Sequence, residues 1–124
     1  MRLTSAGQLD GSFGSGGIFR QQLSTYSTPG STASGVVVQP DGKVVITGYE
    51  RDSAGKSVFF AERLLASNGT PDPGFGTGGV FEHQLGLGGT PSSQGDDVVV
   101  QPDGKLVFSV AVNVWTPASA LTNA

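Results

Sequence analysis

Few side chains in this chain could do chemistry: one histidine (His83), no cysteine, ten acidic and seven basic residues. A Ser-His-Asp triad or a zinc centre needs partners that His83 lacks, since no cysteine or second histidine exists to join it. Asp10 and Asp72 sit in glycine-rich loops, a setting that suits calcium when several carboxylates share one short loop. Each loop offers one, so the expectation is turn capping or an ion pair with Arg2 or Arg63. Those two arginines recur in the repeat, each followed by a leucine, and are expected to tie to a loop carboxylate or carbonyl. Asp96 and Asp97 form a carboxylate pair and read as a solvated strand start. Asp41 and Asp103 each precede a glycine at a corner, where aspartate is wanted for backbone reasons alone.

Three further patterns have both a chemical and a plain reading. Residues 74–79, GFGTGG, satisfy the spacing G-x-G-x-x-G. A dinucleotide site needs a strand before that run and a helix after it, so that phosphate meets a helix N-terminus. Here a strand follows, and Ser12 stands where the matching copy has Gly74, so a turn is expected. Trp115, Tyr26, Tyr49, Phe59 and Phe60 are the aromatic residues that could stack on sugar rings, although the two phenylalanines are more simply core. Asn68-Gly69-Thr70 fits a glycosylation sequon but runs into Pro71. The expectation is a protein with no catalytic residue, no cofactor and no metal, and not an enzyme.

The elements that must carry these residues are short. Twenty of the 124 residues are glycine, about twice the usual share, and only 14% are charged. Apolar residues cluster in short runs between Gly-, Ser- and Thr-rich turns, which argues for many short strands. No segment keeps a 3.6-residue apolar period, so helices are not expected. A net charge of −3 with scattered basic residues argues against a nucleic-acid surface. No run approaches membrane-spanning length, and the first residues lack the apolar centre of a signal peptide.

The chain repeats itself. A spacing of 62 residues separates Asp10 from Asp72, Phe13 from Phe75, Gly16 from Gly78, Leu23 from Leu85 and Asp41 from Asp103. One period holds four expected strands: residues 18–23 (copied at 80–85), 36–39, 44–49 and 57–65. The middle two flank a Gln-Pro-Asp-Gly-Lys corner and form a β-hairpin, repeated at 98–110. Their nearly continuous valine runs predict strands covered on both faces. Four strands in about 60 residues, repeated, describe a β-propeller blade.

Arg63-Leu64, Gly69, Asp72, Phe75-Gly76, Gly78-Gly79 and the corner at 101–105 resemble the bacterial delta-60 repeat. Arg2-Leu3, Gly7, Asp10, Phe13-Gly14, Gly16-Gly17 and the corner at 39–43 carry the earlier copy, one residue shorter between Leu3 and Asp10. The resemblance covers about residues 2–110. It implies propeller-like repeats in large, often surface-exposed or secreted bacterial proteins with no assigned chemistry. Val110 departs from the pattern where the first copy has Gly48, and NVWTPASALTNA has no counterpart to SVFFAERLL.

The expected fold is all-β and antiparallel, with two four-stranded propeller-like blades. Copy one covers about 10–71, copy two about 72–124, and 1–9 is the tail of a preceding repeat. Two blades leave apolar faces and strand edges open. The expected partners are therefore other blades, in a longer chain or by homo-oligomerisation, three or four chains giving six or eight blades. The N-terminal segment could supply an outer strand to a C-terminal blade. The expected function is structural or interaction scaffolding at the cell surface or outside the cell. The alternative is a carbohydrate-binding propeller module; a hydrolytic propeller is disfavoured, and a β-sandwich would have the same strand count.

Overall fold

The computed structural model describes residues 1–25, 30–87 and 91–113. Six strands form within them: β1 (Ser31–Val38), β2 (Val44–Arg51), β3 (Ser57–Leu64), β4 (Val80–His83), β5 (Ser93–Val100) and β6 (Leu106–Val112). No helix occurs among the described residues. Strands β1 to β4 make one antiparallel sheet in sequence order, and β5 and β6 make a second, two-stranded one. The fold is all-β, antiparallel and propeller-like.

Both Gln-Pro-Asp-Gly-Lys runs turn hairpins as their chemistry demands. Gly42 and Gly104 each take φ 85°, a left-handed conformation that costs glycine nothing. The Asp41 and Asp103 carboxylates accept the backbone N–H of Lys43 (3.0 Å) and Lys105 (3.1 Å), closing each corner. Strand β1 reaches five residues further back than the valine run, through Ser31 to Gly35. A bulge at Ala33/Gly35 absorbs that stretch, and β5 has its copy at Gly95/Asp97.

The sheets stack through one face each. Val45, Thr47, Phe59 and Ala61 point from the first sheet toward β5 and are at most 3% exposed. Phe59 meets Phe108 edge-on at 5.3 Å and Phe81 at 6.2 Å. Glycine permits the close approach: a Cβ on Gly95 would lie 2.4 Å from Thr47 Oγ1, and one on Gly35 3.0 Å from Asp97 Cα. Within the first sheet, a Cβ on Gly48 would overlap the Thr32 carbonyl oxygen facing it on β1. In the second hairpin the glycine has changed sides, with Gly95 opposite Val110 where the first has Ala33 opposite Gly48.

Four expectations change. Residues 80–83 open the second copy in sequence, yet they pair with β3 and complete the first sheet, so the sheet runs across the boundary drawn at 71/72. Their counterpart at 18–23 does not pair as a strand, because among the described residues no β3-like edge lies beside it. The second sheet has two strands among the described residues rather than four; the position one 62-residue period after the start of β3 is residue 119, outside them. The hairpins are not covered on both faces either: Val36 and Val38 on β1 are 63% and 62% exposed.

Candidate functional site

The repeated arginine and aspartate gather into two copies of one clasp. In the second copy, the Arg63 backbone N–H donates to Gly79 O (2.9 Å) and the Asp72 N–H to Arg63 O (2.8 Å). Arg63 Nε then donates to Asp72 Oδ2 at 2.8 Å, and the guanidinium lies 4.8 Å from the centre of the Phe75 ring. In the first copy Arg2 Nε meets Asp10 Oδ2 at 2.8 Å and sits 4.8 Å above Phe13. The expected arginine–carboxylate tie is present in both.

The clasps differ in what surrounds them. The Asp72 side chain is 6% exposed and also accepts Lys43 Nζ (3.1 Å), which bolts the β1–β2 corner to the loop. Its other oxygen accepts the Gly74 N–H at 2.9 Å. The Gly74 amide, then Lys43 and Arg63, hold the Asp72 carboxyl below its ordinary range. Asp10 is 28% exposed, and its second oxygen takes the Ser12 hydroxyl and N–H, which lower its pKa with help from Arg2. The first clasp docks on the first sheet's 66–69 loop. Arg2 Nη1 donates to Ala66 O (3.1 Å), Gly14 N–H donates to Asn68 O (2.7 Å), and Phe13 covers Gly69.

The other sequence candidates fall apart from one another. Gly76, Gly78 and Gly79 have positive φ and make a tight turn, Gly79 N–H to Phe75 O (2.9 Å), that leads into β4. His83 lies exposed on β4, stacked on Phe81 at 6.1 Å. Asp96 and Asp97 are exposed beside the β5 bulge, and Asp97 caps the Val98 N–H (2.8 Å). The Asn68 side chain accepts from Thr70 N–H and hydroxyl in an Asx turn. Phe59 and Phe60 are buried on opposite faces of β3, and Tyr49 is half-buried on β2. Trp115 and Tyr26 lie outside the described residues.

Strand alternation puts a second acidic group in place that the motif reading missed. Glu50 on β2, Glu62 on β3 and Glu82 on β4 share the face of the first sheet that points away from β5. Glu50 and Glu62 are 5% and 4% exposed, and each has one carboxyl oxygen with no hydrogen-bond partner. Burial pushes Glu62 up to about 7; burial, then the Glu82 carboxyl, push Glu50 up to about 7. The available signal was Glu62 alternating with Phe60 and Leu64 on an apolar face. The repeat gave none, because Val112, Ala124 and Arg20 occupy the equivalent positions. No three acidic or histidine groups among the described residues are placed to hold a metal.

A family model described as a domain of unknown function (DUF5122) beta-propeller matches residues 39–75. That stretch is propeller-like. It runs from the first hairpin corner through β2 and β3 to the phenylalanine of the second clasp, so the matched unit contains Lys43, Arg63, Asp72 and Phe75 together. No curated protein and no solved structure matches the chain.

Proposed function

We propose that the chain is a non-catalytic structural and interaction module of delta-60 type, from a bacterial surface or secreted protein, whose working partners are other blades. The observation that carries this reading is the commitment of the charged residues that recur in the repeat. Asp72, the most buried carboxylate of the motif, has its oxygens occupied by Arg63, Lys43 and Gly74, so it is spent on joining a corner to a loop. A repeat that devotes its recurring charges to internal clasps offers surfaces, not reactive groups, as its common property. The resemblance of both copies to the delta-60 pattern supports the placement outside the cell. Sedimentation of the chain over a range of concentrations tests the reading: mass rising above that of one chain supports it, and a monomer throughout contradicts it.

One observation favours carbohydrate as a second ligand class. An open groove between the sheets is lined by Phe75, Phe81 and Phe108 beside Arg63, Gln39 and Lys105, the mixture of ring faces and donors that sugars use. A glycan array whose signal disappears with Phe81→Ala would support that reading, and a blank array would remove it.

A further inference from the structure

The two hairpins are copies, yet they are buried on opposite sides. Val98 on β5 is 4% exposed, while Val36, its equivalent on β1, is 63% exposed. Val45 on β2 is 0% exposed, while its equivalent Val107 on β6 is 45% exposed. Val99 on β5 is 54% exposed, whereas its counterpart Val37 is half-buried. The registers explain the pattern. Val36 pairs with Ile46 and Val98 with Phe108, so both lie on what may be named the front face. Val37 pairs with Val45 and Val99 with Val107, on the back face. The chain packs the back of the first sheet against the front of the second. That leaves open the back of the second sheet and the β1 side of the first sheet's front, where Val36 and Val38 are exposed while Phe60, Glu62 and Leu64 on β3 are buried, and these open surfaces are copies of ones already joined inside the molecule.

Building on the interaction-module reading, we propose that the open β1 side of the front face, around Val36 and Val38, docks onto the open back face around Val99, Val107 and Ser109 of a second copy of this chain. The occupant follows from the internal contact. Each open face already has a demonstrated fit, made by its repeat-equivalent within the same chain, and another copy presents that surface with the same strand pair and bulge. The interface is heterologous, so it joins front to back and propagates until a ring closes. Residues 18–23, which pair with no strand edge among the described residues, resemble the sequence of β4, which acquires its strand from the edge of the sheet before it.

Complementary variants test this. Val36→Asp blocks only the front face and Val107→Asp only the back; both sites are exposed, so the fold tolerates the charge, as circular dichroism will check. Light scattering after size exclusion is expected to show assemblies for the native chain and single 12.6 kDa chains for either variant alone. An equimolar mixture of the two variants should restore a two-chain species and nothing larger, because one intact front meets one intact back. Assembly that survives either substitution, or a mixture that stays monomeric, overturns the proposal while leaving the interaction reading standing. A native chain that never associates overturns both, and protection of Val36 in that monomer would assign the face to another part of the same chain.

Discussion

Asp72 and Asp10 are the same residue of the repeat in unequal surroundings, and their loss should be felt unequally. Asp72→Asn would leave Arg63 and Lys43 beside a neutral amide in a site 6% exposed, whereas Asp10 is 28% exposed. Thermal melts should therefore fall by several degrees for Asp72→Asn and by clearly less for Asp10→Asn; equal shifts would show that the Lys43 bolt adds nothing. The buried glutamates carry the opposite pH dependence. Glu62 is raised from 4.5 to about 7, so the native state binds more protons than the unfolded chain and stability falls as pH climbs through that window. Asp72 and Asp10 are lowered from 3.8, so their contribution is lost as pH falls below that value. Maximal stability is expected at mildly acidic pH, between the two windows. Glu62→Gln, which mimics the protonated form, should raise the melting temperature at pH 8 and change it little at pH 4. A gain of the same size at both values would refute burial of the charge as the cause.

Among the elements, glycine sets how closely the two sheets approach. Gly95→Ala would put a Cβ 2.4 Å from Thr47 Oγ1, beside the Gly48 carbonyl, and should cost roughly 1–3 kcal/mol in urea unfolding. The repeat-equivalent position already holds Ala33, so replacing that residue by Gly should cost well under half as much. The hairpins were legible because Pro-Asp-Gly-Lys fixes a corner and the valines on either side fix strands. The extension of β1 through Ser31–Gly35 was not, since a Ser- and Gly-rich stretch reads as turn until a bulge and a partner strand absorb it. The pairing of β4 with β3 was hidden for another reason. A period tells which residues are copies but not which neighbour completes a sheet, and the strand that opens one copy closes the sheet of the copy before it. The arginine–aspartate tie could be read because it recurs. Lys43 on Asp72 and the buried pair Glu50 and Glu62 could not, because one is a contact between distant loops and the others occur once.

For the whole molecule, two copies of one hairpin have been given different fates by their position in the stack. Identical apolar patterns became core in one copy and surface in the other: Val45 is at 0% exposure and Val107 at 45%. Monomeric proteins rarely leave sheet faces of this kind open, and in the proposed function the open faces are the working surfaces of the chain. The absence of cysteine allows this asymmetry to be measured directly. Single-cysteine variants Val36→Cys, Val98→Cys, Val45→Cys and Val107→Cys, kept dilute enough to remain single chains, would be timed against a thiol reagent. Fast labelling is expected at positions 36 and 107 and labelling slower by orders of magnitude at 98 and 45. Equal rates at 36 and 98, or at 45 and 107, would contradict the front-to-back stacking of the two sheets.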